Sequence, residues 1–104
     1  MILTTTDSFP GRTYEIVGIA KGSTVQTVNA VRDIGASLKT LVGGEIVKYN
    51  EMMNTARALA TKRMCEDAEE QGADAVICVR YSSASIMQGA AEVMAYGTAI
   101  RFIG

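Results

Sequence analysis

The sequence predicts an α+β subunit: a mainly antiparallel sheet with two helices on one face, in the order strand-strand-strand-helix-helix-strand-strand. Three observations lead there. Apolar residues alternate through much of the first thirty positions, they recur at helical spacings from Val31 to about Gln71, and strand patterns return after Gly72. With 104 residues the chain fits one compact domain, 1–104.

Ile2-Leu3-Thr4-Thr5 reads as a short strand, and Ser8-Phe9-Pro10-Gly11 as a turn. Tyr14 to Ala20 alternates as a strand, with Tyr14, Ile16 and Gly18 on one face and Glu15, Val17 and Ile19 on the other. Lys21-Gly22-Ser23 reads as a second turn, and Thr24 to Ala30, rich in Thr and Val, pairs back as a hairpin. Val31, Ile34, Leu38, Leu41 and Val42 then line one face of a short helix that ends at Gly43-Gly44. A longer helix starts between Glu45 and Tyr49 and runs to about Gln71. Its apolar side holds Tyr49, Met52, Met53, Ala56, Leu59, Ala60, Met64 and Ala68. Gly72 is the expected left-handed residue after it. Ala75-Val76-Ile77-Cys78-Val79 suits a strand buried on both faces. Ser82 to Ala91 is read as a connection, with Ile86-Met87 able to extend the strand. Val93 to Ile103 is the last strand, with Met94, Tyr96, Thr98, Ile100 and Phe102 on one face.

Composition narrows the function classes. Hydrophobic residues make up 48% and charged residues 20%, as in folded soluble proteins. The net charge is −1 with no basic block and no Trp, which argues against nucleic acid as a partner. Met1-Ile2-Leu3 passes at once into Thr4-Thr5-Thr6-Asp7, so a secretory signal is not expected. No apolar run is long enough for a bilayer, and neither a membrane partner nor a location other than the cytoplasm is expected. The two cysteines, Cys65 and Cys78, then read as reduced thiols. Histidine is absent, which removes the commonest general base and any Ser-His or Cys-His nucleophile.

Several motifs together resemble the YbjQ-like family, which is named for heavy-metal binding. They are Asn29, Arg32-Asp33, Ala36-Ser37, Val42-Gly43-Gly44, Tyr49, Ala56-Arg57, Gly72-Ala73-Asp74-Ala75-Val76 and Gly97-Thr98-Ala99-Ile100-Arg101. The resemblance implies a small α+β subunit assembled with itself into a ring, commonly a homopentamer, with its biochemical function largely unassigned.

The candidate residues each carry two readings. Arg32 could hold a carboxylate or oxyanion, with Ser37 nearby. The preferred reading pairs Arg32 with an acid across a subunit contact and places Asp33 in the favourable field of the helix start. Gly43-Gly44 could cradle phosphate, but they follow a helix and lack a nucleotide fingerprint, so a helix-to-helix turn is preferred. Cys78 is the first choice for a soft metal ion, with Met87 or Met94 as thioether partners. One chain supplies too few ligands for a closed site, so symmetric copies would have to meet. The alternative makes Cys78 a small core residue and Cys65 a packed or exposed helix residue. Glu66, Asp67, Glu69 and Glu70 read as a solvated face. The leading expectation is a non-enzymatic homo-oligomer that binds a soft metal or a small ligand. The alternatives are a structural module that recruits another protein, and a small enzyme using carboxylates at a subunit interface.

Overall fold

The computed structural model describes residues 1–28 and 44–104. Among these lie β1 (Ile2–Leu3), β2 (Tyr14–Thr27), helix α1 (Gly44–Glu70), β3 (Ala75–Met87) and β4 (Ala90–Phe102). The strands form one four-stranded sheet in the order β1-β3-β4-β2. β4 pairs antiparallel with both β2 and β3, whereas β1 runs parallel to β3, with Ile2 opposite Ala75 and Leu3 opposite Val76.

This corrects the expected architecture in several places. The sheet is mixed, not mainly antiparallel, and one helix lies among the described residues where two were expected. The shorter helix expected over 31–42 falls outside them, and a single chain does not show a ring-forming subunit. Beyond Leu3 the segment keeps backbone bonds to β3, from the Thr4 N–H to the Val76 carbonyl, and adds local bonds among its threonines. The Thr6 N–H donates to Thr4 Oγ1 at 2.9 Å, and Thr6 Oγ1 donates to the Ser8 carbonyl at 2.7 Å.

The expected hairpin over Tyr14–Ala20 and Thr24–Ala30 is instead one strand, which pairs with β4 from Tyr14 to Thr27. Gly22 is not a turn residue. It lets β2 approach α1, because a Cβ there would lie 2.6 Å from both the Ala60 carbonyl oxygen and the Arg63 carbonyl carbon. The ladder slips by one residue between Ile16 and Gly18, so Val17 bulges. Ile16 faces Ile100 and Ile19 faces Thr98, and both therefore lie on the same side of the sheet, against the simple alternation. The connection expected at Ser82–Ala91 is strand as far as Met87. A turn at Gln88-Gly89, with Gly89 at φ 77°, joins it to β4.

The long helix ends where expected but starts slightly earlier, at Gly44, and its buried face is the expected one except at Tyr49, which is exposed. Ala56, Ala60, Met64 and Ala68 are fully buried and Met52 nearly so, at the four-residue spacing that lines one side of a helix. Ala56, Ala60, Met64 and Ala68 pack on Ala20, Val76, Val79, Val93, Ala95 and Ala99, and Met52 packs on Val28 and Ala91. The small residues on both surfaces allow this close approach. The helix ends as the sequence predicts: Gly72 has φ 82°, its N–H donates to the Glu69 carbonyl, and the Ala73 N–H donates to the Ala68 carbonyl, both at 3.0 Å. That pair of bonds satisfies carbonyls otherwise left open, and Ala73 packs on the same core. Asp74 then joins the ends of two strands: its N–H donates to the Ile100 carbonyl at 2.8 Å, and its carboxylate accepts the Phe102 N–H at 2.9 Å.

Candidate functional site

Of the expected site residues, Asn29, Arg32, Asp33, Ser37 and Gly43 lie outside the described residues. Gly44 is the first residue of α1. Cys78 is well placed in the fold, and its surroundings are the most unusual in the described backbone.

Ile77 faces Thr98 and Arg80 faces Tyr96, so Cys78 and Val79 together oppose Gly97. This is a β-bulge, and Cys78 takes the left-handed conformation, φ 56°. No other non-glycine residue among the described ones has positive φ. The conformation costs an L-residue about 1–2 kcal/mol, so its surroundings must hold it. Three backbone bonds do so: Thr4 N–H to the Val76 carbonyl, Cys78 N–H to the Thr6 carbonyl and Val79 N–H to the Thr4 carbonyl, at 3.0, 2.9 and 3.0 Å. The Arg80 guanidinium adds bonds to the Thr5 and Val79 carbonyls at 3.0 and 2.8 Å. Gly97 completes the site, since a Cβ there would lie 2.6 Å from Val76 Cγ1 and 2.8 Å from the Ile77 carbonyl oxygen.

The half-buried Cys78 side chain packs against the apolar cluster of Ala75, Ile77 and Ile100, which Phe9, Tyr14 and Phe102 also join. Phe9 and Phe102 lie with ring centroids 5.0 Å apart, and the Arg12 guanidinium sits 3.9 Å over the Phe102 ring. That surrounding does not fit a metal site built from one chain. No group of three or more His, Cys, Asp or Glu side chains converges among the described residues. Cys65 and Cys78 are both free thiols. Burial pushes the Cys65 thiol above its usual range. The N-terminal charge opposes this, while Glu69 and Glu66 add to it. Met52 and Met64 are core fillers, whereas Met87 is exposed.

Asp67 does not belong to a solvated acidic face. Its carboxylate accepts the Lys21 N–H at 2.9 Å. Arg63 donates to the Ser23 carbonyl at 2.8 Å, and Gln71 Nε2 donates to the Ile19 carbonyl at 2.9 Å. Arg63, Asp67 and Gln71 recur every four residues, so one helix face covers the outer edge of β2 between Ile19 and Ser23. β2 ends the sheet, and an open edge invites unwanted pairing. The i, i+4, i+8 spacing of these three polar residues beside Ala60, Met64 and Ala68 was the sequence signal for this role.

The sheet face turned away from α1 is the remaining feature. Beyond the cluster at its Phe102 end it carries large apolar side chains in the open: Ile16 is 71% exposed, Ile19 73%, Val25 54% and Tyr96 40%. They sit on adjacent strands, with Ile19 beside Thr98, Lys21 beside Tyr96 and Val25 beside Glu92. No described helix is long and apolar enough to cross a membrane.

Comparison with known proteins places this fold. A protein of unknown function from Pediococcus pentosaceus has a crystal structure that superposes with a TM-score of 0.72 over 99% of this chain and 98% of that one, at 20% identity. That likeness shows the fold alone. A UPF0145 protein of Clostridium novyi is 53% identical over 103 residues, 99% of this chain and 100% of the relative. A UPF0145 protein of Thermotoga maritima is 54% identical over 102 residues, 97% and 96% of the two chains. The model of the YbjQ family, described as "Putative heavy-metal-binding", matches residues 1–103. With the family motifs present along the whole chain, this protein belongs to the YbjQ family.

Proposed function

We propose that this protein works as a self-assembling subunit, a homopentamer as the family resemblance implies, and not as an enzyme. The observation that carries the reading is the open sheet face with Ile16, Ile19, Val25 and Tyr96 exposed in the single chain. Contiguous apolar patches on a soluble domain mark contact surfaces. A second copy is the occupant the chain itself suggests. The Cα radius of gyration is 17.2 Å, against about 13 Å for a compact chain of this length, so the isolated subunit leaves unusual surface uncovered. The outer edge of β2 between Ile19 and Ser23 is occupied by Arg63, Asp67 and Gln71, which favours contact through the face over contact through that stretch of edge. The sequence has no histidine for acid–base work near neutral pH. The test is multi-angle light scattering on the unmutated protein and on Ile19→Glu. The reading expects a homo-oligomer that the charged substitution dissociates.

A soft metal held between copies is a second reading, favoured by the left-handed Cys78 that the fold holds at a backbone cost. One thiolate per copy would then supply the ligands that a single chain lacks. Metal analysis of purified protein beside Cys78→Ser tests it. Metal lost with the thiol supports the reading, and a metal-free unmutated protein after growth with zinc and copper removes it.

A further inference from the structure

We infer, on the basis of the self-assembling reading above, that the flank of α1 at Ile46, Tyr49 and Met53 is the surface of a neighbouring copy that covers the open sheet face. A contact that uses the same patch on both partners closes after two copies. A ring with an odd number of subunits therefore needs two different patches on each of them, and the open face is only one.

The described residues offer the second. Ile46 and Val47 are each 54% exposed and Tyr49 37%. With Asn50, Met53 and Arg57 they line a groove of about 540 Å³. Ile46, Asn50, Met53 and Arg57 fall at helical spacings, on a stripe beside the buried Met52 and Ala56. One turn further on, Thr61 Oγ1 lies 2.7 Å from the Tyr81 hydroxyl, so this stripe faces β3. The opposite flank, Arg63, Asp67 and Gln71, is tied to β2. β3 itself is exposed from Arg80 to Met87, so nothing described covers the stripe from that side. Met53 and Arg57 continue the groove there, at Tyr81. The flank and the open face thus lie on opposite sides of the sheet. A contact of one copy's face on the next copy's flank repeats head to tail, which closes as a ring when the rotation permits.

The charges agree. Arg57 is exposed, and no carboxylate lines its groove. On the open face Glu92 lies beside Val25, and it forms no ion pair among the described residues. Val25 seated on the flank brings the Glu92 carboxylate toward Arg57, an opposite-charge pair that fixes register.

The test mixes two broken subunits. Ile19→Glu spoils the face. Ile46→Glu with Tyr49→Glu spoils the flank, at exposed positions in the first turns of α1 where acids suit the helix field. Each variant should fold by circular dichroism and run near 11.1 kDa alone in light scattering. Mixed at about 100 µM, they retain one intact face and one intact flank, enough to fill a single contact of micromolar Kd. The expected mass is about 22 kDa, a pair of 11.1 kDa chains that grows no further. A flank variant that keeps the mass of the unmutated protein would overturn the inference and leave the open-face reading standing. A mixture of folded variants that stays at 11.1 kDa would also overturn it. An unmutated protein of 11.1 kDa would overturn the self-assembling reading itself, and this contact with it. Should the double variant fail to fold, Ile46→Glu alone replaces it in the same mixture, with the same outcomes.

Discussion

Replacing Gly22 with alanine tests the packing of α1 on β2 at its closest point. The new Cβ would lie 2.6 Å from the Ala60 carbonyl oxygen and from the Arg63 carbonyl carbon, and closer still to the Met64 backbone nitrogen. Ordinary contact begins near 3.4 Å, so helix or strand must move by more than about 0.8 Å. The obstructing atoms are backbone, which cannot rotate away. They are flanked by Ala60 and Met64, both fully buried, so a shift there also opens the core. Overpacking of this kind costs about 1–3 kcal/mol, and the upper end applies where no side chain can yield. Alanine regains about 0.5–1 kcal/mol by restricting the unfolded chain. The net expectation is a loss of about 2 kcal/mol, or roughly 8–16 °C in Tm for a domain of this size. The control is Gly72→Ala, where φ is 82° and no atom lies within 4 Å, so only the left-handed backbone cost of about 1 kcal/mol applies. Both variants are melted by circular dichroism at one protein concentration, because assembly makes Tm concentration-dependent. A smaller loss in Gly22→Ala than in Gly72→Ala would refute the reasoning.

Other substitutions probe the bulge, the edge and the thiols. Cys78→Val should destabilise by about 1 kcal/mol or more in urea unfolding, from β-branched crowding at a left-handed position whose backbone cost Cys78 already bears, while Cys78→Gly stays within about 1 kcal/mol of the unmutated protein. Asp67→Ala strands the Lys21 N–H at the partly solvated edge and should cost about 1 kcal/mol by the same measurement. Alkylation of Cys65 by iodoacetamide, followed by peptide mass spectrometry, should be slower than that of a free thiol at pH 8. Its rate should climb as pH rises past the usual thiol range, because the thiolate form is the one that burial disfavours.

Much of the fold was legible where periodicity and glycine chemistry agree. The spacing of Met52, Ala56, Ala60, Met64 and Ala68 defines both α1 and its buried face, and Gly72 marks its end. The alternation of Ala95, Gly97 and Ala99 against Tyr96, Thr98 and Ile100 likewise separates the two sides of β4. Local pattern failed where a long-range contact decides the role of a residue. Lys21-Gly22-Ser23 looks like a turn, yet Gly22 is required by a helix far along the chain. Ser82 to Ser85 look like a loop because their polarity hides a ladder with β4. Cys78 sits in a strand as expected, but nothing in Ile77-Cys78-Val79 announces a left-handed residue, which follows from the bulge opposite Gly97. Asp67 was submerged in an acidic run, and only its distance of four from Arg63 and Gln71 hints at the β2 edge. Tyr81 and Arg57, distant in sequence, meet at one groove that neither local pattern could reveal.

The central claim is that the open face of Ile16, Ile19, Val25 and Tyr96 is covered by further copies of the chain. Light scattering after size exclusion tests it most directly. The account predicts a mass near 55 kDa, five times the 11.1 kDa subunit, and a fall toward the subunit mass in Ile19→Glu. An unmutated protein that elutes at 11.1 kDa across micromolar concentrations would contradict it.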